Sequence, residues 1–468
     1  MRNLVLKRQS FVAALIALAV LATPALLFAH AHLVRSTPAE KATLTSLPTS
    51  LSLWFSEKPE VKFTVVTLTD SAGAAVTLGP PASIESNGVA LPITGAMASG
   101  RYTVSWRTAA SDGHATTGKY QFSLSVAAPV TAPAAAPVPS ITVDSGRAPA
   151  HIGDSTVVHK TVSNSLIVAQ QVTTLSTAMR WAELVALLTL VGLVIFRLAV
   201  LPASEWTPDL VTSASDRSAR LARGLLVLLA VAMVSRGLAQ ASLVPGYAES
   251  RHMALRTLVH DTSWGHYWAL GIIGLVLAII GFLVAGKAVA GWGLAAVALI
   301  VIAASEALTG HSSAVRHAAV AIAADVAHLL GAGGWLGGLT AVLLCGFPAF
   351  KGHDPMKASN SGARLVRAYH NTAMECVIIV VVTAIIAAWL RLPTVNALWT
   401  TPYGLALLRK IIFVVVVLGI GFYHWRRVVI PDWTTGTLAR FKRSALLELL
   451  FGAVVIALTA YLLTQPLP

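Results

Sequence analysis

The chain has 468 residues, of which 56% are hydrophobic and 12% are charged, against about 25% charged residues in soluble globular proteins. The apolar residues stand in long blocks, which excludes a single soluble domain and indicates several membrane spans. The net charge of +14 does not indicate nucleic acid as a partner, because many basic residues stand at the ends of apolar blocks, where they orient a membrane protein.

The first residues have the layout of a signal peptide, since a basic start is followed by an apolar run over residues 11–28. Cleavage after Ala29 makes His30 the first residue of the mature protein. Cleavage after Ala31, a better small-x-small match, makes His32 the first residue. A terminal histidine follows from either cut, and an uncleaved membrane anchor is the alternative.

Residues 30–126 differ in character from the rest of the chain. Short β-rich or alternating runs are separated by Gly, Pro, Asn and Asp, which predicts a small antiparallel sandwich or barrel. Trp54, Trp106 and Phe122 are its predicted core. The following stretch is rich in Ala and Pro, and we interpret residues 127–177 as a linker.

Eight apolar blocks follow the linker, and each is about long enough to cross a hydrocarbon core of about 30 Å as a helix. The predicted fold class is therefore multi-domain: an all-β domain followed by an all-α polytopic membrane bundle of about eight helices. The predicted helices cover residues 178–202, 219–243, 265–286, 289–308, 319–347, 371–391, 403–424 and 444–464.

Basic residues are unevenly distributed over the helix connections. If the signal peptide exports the β domain, the connections after helices one, five and seven are cytoplasmic. These connections are rich in Lys and Arg, and the outward connections are poorer, as the positive-inside rule requires. We therefore predict a multi-pass protein of the bacterial inner membrane, with its β domain in the periplasm.

The new chain end and a downstream motif suit a metal. A terminal His30 offers an amine and an imidazole that chelate one ion as a ring, and Asp112 and His114 alternate in phase just before the last strand. An amine, two imidazoles and a carboxylate form a tetragonal N,O set, which suits Cu(II). Two alternatives remain: an ordinary turn at Asp112–His114, and a Cu(II) site of terminal amine, backbone amides and His32.

The exported region carries several specific motifs: His30-Ala-His-Leu-Val-Arg-Ser-Thr-Pro-Ala-Glu40, Leu53-Trp-Phe-Ser-Glu57, Gly100-Arg-Tyr-Thr-Val-Ser-Trp106, Ser111-Asp-Gly-His114 and Gly118-Lys-Tyr-Gln-Phe122. In this combination they resemble the CopC family of periplasmic copper-binding proteins, and the resemblance covers almost all of residues 30–126.

This resemblance implies a Greek-key β-barrel of immunoglobulin-like type, with His30, Asp112 and His114 as Cu(II) ligands and Glu57 near the metal. It also favours cleavage after Ala29. Some members carry a Met-rich segment for Cu(I), but this domain has only Met97, so we expect it to bind Cu(II) alone.

Polar residues also occur where the fourth and fifth helices meet. His311 and His317 stand in the connection, and helix five carries Asp325 and His328 in an apolar run, with His317 and His328 on one helix face. A charged Asp at a helix centre costs about 2.5–3.5 kcal/mol on insertion scales, so it should face protein, water or metal. These four residues are predicted metal ligands, and the alternative is a hydrogen-bonded set that joins helices.

The bundle in turn resembles the CopD family of multi-span copper proteins, through Gly310-His311, Asp325-x-x-His328 and Gly334-Trp-Leu-Gly-Gly338. The resemblance implies copper movement across or into the inner membrane. Met374 and the two cysteines, Cys345 and Cys376, would suit Cu(I) near the cytoplasm; simple packing is the alternative.

The sequence therefore predicts a copper homeostasis protein that is not an enzyme. Cu(II) would bind the exported domain and pass to the membrane domain for uptake. The oxidation state of copper in the membrane domain stays open, and Cu(I) is one alternative. The partners are copper, the lipid bilayer and periplasmic copper donor proteins. The alternatives are a copper- or haem-dependent redox enzyme and a passive copper buffer.

Overall fold

The computed structural model describes residues 33–56, 59–109, 115–126, 177–244, 247–310, 312, 315, 317–350, 352, 354–392, 394–428 and 435–465. The predicted signal peptide and most of the predicted linker lie outside these residues. The described part divides into a β domain and a helical bundle.

The β domain consists of two sheets. The first has four strands in the order β1 (Leu33–Thr37), β3 (Ser50–Phe55), β7 (Gly88–Pro92) and β6 (Ala82–Ile84). The second has five strands in the order β2 (Thr43–Leu44), β9 (Ala115–Leu124), β8 (Gly100–Ala109), β4 (Val65–Thr69) and β5 (Ala75–Val76). The all-β class is confirmed, but the two sheets stay separate, so the barrel is not closed.

Alternation along the strands builds the core between the sheets. In β3, Leu51, Leu53 and Phe55 are buried, as a period of two requires when one face is covered. Trp106 and Phe122 are buried as predicted. The prediction that Trp54 belongs to the core is wrong. Trp54 follows Leu53 directly in β3, so its side chain points to the opposite, outer face of the sheet. There the Arg35 guanidinium lies over the Trp54 ring, 4.0 Å from its centroid.

Within the described residues the bundle has ten helices. These are α1 (Thr177–Ala203), α2 (Pro208–Ala241), α3 (Arg251–Asp261), α4 (Ser263–Ala285), α5 (Val289–Leu308), α6 (Ala318–Ala349), α7 (Pro355–Arg391), α8 (Ala397–Thr400), α9 (Pro402–Val428) and α10 (Thr435–Leu462).

Eight of these helices are long and apolar enough to cross a membrane, which confirms the predicted number; α3 and α8 are short. Helices α2 and α7 begin more than ten residues before their predicted starts, because basic helix-forming segments extend them beyond the apolar block.

Helices α1 and α6 form the centre of the bundle. In their most apolar windows 83% and 72% of residues are buried, against 11% for α9, which lies at the edge. The two central helices approach closely through glycine: a Cβ built on Gly192 would lie 2.0 Å from the carbonyl carbon of Gly337. Small residues at such a crossing let two membrane helices pack backbone to backbone.

Candidate functional site

The predicted ligands of the β domain, His30, His32, Glu57, Asp112 and His114, lie outside the described residues. The strands that flank them are described. Leu33, at the start of β1, pairs with Phe55, at the end of β3. The Phe55 ring in turn meets the Trp106 ring edge to face, with centroids 5.2 Å apart.

Trp106 lies near the end of β8, which is paired with the start of β9 as far as Ala109 and Ala115. The three segments that carry the predicted ligands therefore leave the sandwich at one end: before β1, after β3 and between β8 and β9. We call this end the ligand end.

Among the described residues, two hydrogen bonds join the ligand end to the bundle. The Arg107 guanidinium donates to the carbonyl oxygen of Leu243, just after α2, over 2.9 Å. The backbone N–H of Ser263, the first residue of α4, donates to the Glu60 carboxylate over 2.9 Å. Both partners lie at the same end of the bundle, which we call the β-proximal end.

An apolar contact accompanies these bonds. Phe63 of the β domain is 3% exposed and belongs to a small cluster made by the ends of α2 and α4 and by α3. Its bundle members are Ala241, Val244, Ala254, Leu258 and Trp264. Burying a Phe side chain contributes about 1.5–3 kcal/mol, so the two domains are held together by more than a flexible tether.

A network of four charges lies beneath this contact. Glu183 of α1 and Glu306 of α5 are almost fully buried, and they face Arg180 of α1 and Arg236 of α2. Arg236 donates to both oxygens of Glu306, over 2.8 and 3.0 Å, which is the bidentate geometry that guanidinium favours.

The network is electrically balanced, with two carboxylates and two guanidiniums. It is also linked to the domain contact, because the Arg236 guanidinium lies 5.6 Å from the centroid of the Trp264 ring. Sequence reasoning missed this network. The four residues stand on three different helices, and the only available signal was the presence of charges inside apolar blocks.

The structure pairs Asp325 with Arg391, the last residue of α7. The guanidinium donates to Asp325 Oδ2 over 2.6 Å and to the Ser312 hydroxyl over 2.8 Å, and Ser312 also bonds the carboxylate. One predicted metal ligand thus already has a cationic partner, which the sequence did not indicate.

The predicted histidines are not brought together. His328 Nδ1 lies 3.0 Å from the Thr383 hydroxyl of α7, whereas His317 is exposed just before α6. Eleven residues of helix separate these two rings by about 16 Å along the axis, although they share a face, so they do not bind one ion together. His311 lies outside the described residues, among which no group of three or more His, Cys, Asp or Glu forms a metal cluster.

The two cysteines are buried and stand apart. Cys345 is part of the main core near the far end of α6, and Cys376 packs against Gly334 in the middle of the bundle. In the connection between α2 and α4, His252 and His260 lie exposed on α3.

Comparisons with known families agree with this division of the chain. The family model for the CopC domain matches residues 33–125. The model for the copper resistance protein D-like N-terminal domain matches residues 171–320, and the model for copper resistance protein D matches residues 363–462.

Curated relatives cover both parts. The copper transport protein CutJ of Bacillus subtilis (strain 168) is 22% identical over 415 residues, which are 85% of this chain and 68% of the relative. Protein YobA of Escherichia coli (strain K12) is 35% identical over 106 residues, which are 22% of this chain and 85% of the relative.

Two solved structures resemble the β domain. CopC from Methylosinus trichosporium OB3b has 26% identity and a TM-score of 0.20, over 22% of this chain and 100% of that one. PcoC, a methionine-rich copper resistance protein from Escherichia coli, has 28% identity and a TM-score of 0.20, over 21% of this chain and 100% of that one.

Proposed function

Since the chain belongs to the CopC–CopD fusions of the copper resistance families, we propose that it takes up copper. The β domain binds Cu(II) in the periplasm and passes it to the membrane domain, which carries copper across the inner membrane. The chain acts as a transporter and not as an enzyme. Its partners are copper, the bilayer and periplasmic copper donor proteins.

One observation carries this proposal: the ligand end of the sandwich contacts the membrane domain. Arg107, whose guanidinium bonds Leu243, stands only five residues before Asp112 in the chain. A metal held at this end would be released close to the membrane surface. A β domain turned the other way would need to rotate or detach before it could deliver copper to the bundle.

We propose His30, Asp112 and His114 as the Cu(II) ligands, with Glu57 beside the metal and His32 as a rival ligand. Imidazole, amine and carboxylate donors suit the tetragonal preference of Cu(II). The convergence of the three ligand-bearing segments at the ligand end supports this set, because residues far apart in the chain would then reach one ion.

The β-proximal end of the bundle faces the periplasm in this scheme. The Lys- and Arg-rich connections then fall on the cytoplasmic side, as the positive-inside rule requires. His317, Asp325 and His328 stand on the periplasmic half, where copper would enter, and we propose them together with His311 as ligands in the membrane domain. Because Asp325 is paired with Arg391, copper would bind Asp325 only after displacing a guanidinium.

A pair of variants separates metal binding from ion pairing at Asp325. If Asp325 binds copper, Asp325→Asn lowers the copper content of the purified protein while Arg391→Gln leaves it unchanged or raises it. If the carboxylate only joins α6 to α7, both variants destabilise the bundle and neither changes its copper content, which would remove Asp325 from the proposed ligands.

Two measurements test the scheme as a whole. N-terminal sequencing of the mature protein should find His30 first, and His30→Ala and His114→Ala should each lower the Cu(II) stoichiometry of the full chain. Uptake of radioactive copper should fall in cells that lack the gene and recover with the wild-type chain. Unchanged uptake together with altered efflux would exclude import.

A further inference from the structure

A cavity of about 300 Å³ lies between α6, α7, α9 and α10. Most of its wall is apolar, but α7 contributes His370 and Met374, and α10 contributes Glu448. Trp335, Tyr369 and Gly421 also line the cavity. An imidazole, a thioether and a carboxylate thus line one space within the membrane domain.

We propose that this cavity binds Cu(I), with His370 and Met374 as ligands and Glu448 as the charge-balancing carboxylate. The inference rests on the proposed function, and it names the place where copper is held before it leaves the membrane domain. Each Cu(II) that the β domain delivers first gains one electron from a cellular thiol, since two thiols give one disulfide, two protons and two electrons, enough for two copper ions.

The spacing on α7 brings the two neutral donors together. Residues 370 and 374 are four apart, so their side chains lie on one helix face, separated by one turn. Met374 and Cys376, in contrast, are about 200° apart around the helix axis. The structure accordingly places Cys376 against Gly334 of α6 and Met374 in the cavity wall, so the soft donor that faces open space is the thioether.

Glu448 is held in place by the wall of the cavity. Its side chain is 3% exposed, and the Trp335 indole N–H donates to Glu448 Oε1 over 2.8 Å. The Tyr369 hydroxyl in turn donates to the carbonyl oxygen of Trp335 over 2.8 Å. A buried carboxylate is costly in an apolar membrane domain. Thioether and imidazole donors favour Cu(I), and a carboxylate in the same wall would balance its single positive charge.

The depth of the cavity suits an exit site. His370 precedes Arg391, at the β-proximal end of α7, by 21 residues. This is about 31 Å of helix, close to the thickness of the hydrocarbon core. Gly421 stands a similar distance from the start of α9 and faces Glu448, since a Cβ built on it would lie 3.7 Å from Glu448 Oε1. The cavity therefore lies in the half of the bundle that is farther from the β domain.

The test is Cu(I) binding by the full-length chain in detergent, measured under ascorbate by competition with a chromophoric Cu(I) chelator. Met374→Leu keeps the volume of the side chain, and Glu448→Gln keeps an oxygen that accepts from Trp335. We expect Met374→Leu and His370→Ala each to weaken Cu(I) binding at least about tenfold, and Glu448→Gln to weaken it because the balancing charge is lost. The matched control is Met356→Leu, which changes a methionine that is 72% exposed on the same helix.

X-ray absorption supplies a second readout. The bound copper should show a sulfur ligand that disappears in Met374→Leu and persists in Met97→Leu. The proposal is overturned if Met374→Leu and His370→Ala both bind Cu(I) as the wild type does. It is also overturned if Met97→Leu is the variant that removes the sulfur signal.

Filling the cavity tests its occupant without removing a donor. Gly421→Leu should reduce Cu(I) binding in the same assay. If native mass spectrometry instead finds a lipid that Gly421→Leu expels while Cu(I) binding stays unchanged, the cavity is a lipid site and the proposal is wrong. Binding is measured without transport, so a chain that binds Cu(I) here but takes up no copper in cells contradicts the proposed function and leaves this site standing.

Discussion

Neutralising Glu306 tests the buried charge network. In the wild type, Glu183 and Glu306 balance Arg180 and Arg236, and the side chains of all four are at most 17% exposed. Glu306→Gln leaves two guanidiniums facing one carboxylate. It also removes the bidentate pair that Arg236 makes over 2.8 and 3.0 Å.

Breaking a buried ion pair by removing one partner costs about 3–5 kcal/mol, because the other charge stays buried without compensation. A change of 1 kcal/mol shifts the melting temperature of a domain of this size by about 2 °C. We therefore expect the Tm of purified Glu306→Gln in mild detergent to fall by about 6–10 °C.

A double variant separates lost charge balance from lost packing. Glu306→Gln combined with Arg236→Gln restores neutrality, so its Tm should lie above the value expected from adding the two single effects. Glu249→Gln is the matched control, because Glu249 is exposed near the same end of the bundle. The reasoning is refuted if Glu306→Gln has the same Tm as the wild type, or if the Tm change of the double variant equals the sum of the two single changes.

Three further predictions concern packing and ionisation. Gly192→Ala should prevent folding or lower the free energy of unfolding by at least about 3 kcal/mol, because its Cβ would clash with the Gly337 backbone. Gly293→Ala is the control: the space around Gly293 is open, so the alanine should stabilise α5 by up to about 1 kcal/mol. Thermal unfolding measures both effects. Gly118→Ala should lower the Tm of the β domain, because its Cβ would lie 2.5 Å from the Trp106 ring, and Gly100→Ala is the control with open space. Burial raises the pKa of Tyr120 above its usual 10.0, so the folded form keeps the phenolic proton that the unfolded chain loses. Stability should therefore fall as the pH rises above 10, and Tyr120→Phe should reduce that loss in pH-dependent melting; an equal loss in both proteins would contradict the assignment.

Much of the architecture follows from sequence pattern alone. A hydrophobic run of about 20 residues can satisfy its backbone in lipid only as a helix, so the eight spans are predictable one by one. Alternation likewise predicts the strands and their buried faces. Trp54 obeys the same alternation: its size suggested a place in the core, but its parity puts it on the outer face of β3.

The candidate sites depend on which helices become neighbours, and no local pattern specifies that. Asp325 stands in a motif that suits a metal, yet its carboxylate meets Arg391 from a helix 66 residues further on. Likewise, the sequence placed Met374 beside Cys376, whereas the helix turn separates them and joins Met374 to His370 in one cavity wall.

The two-part design, the number of spans and the chemical types of donor are predictable from the chain alone, because they depend on composition and on periodicity within single elements. Three features emerge only from the packing of the folded chain: the ligand end of the sandwich meets the membrane domain, two buried carboxylates face two guanidiniums, and Glu448 lines one cavity with His370 and Met374. These partners come from elements far apart in the chain. Burying a charge or a polar group is destabilising unless a neighbouring group pairs with it, and the packing of distant elements decides which group is the neighbour.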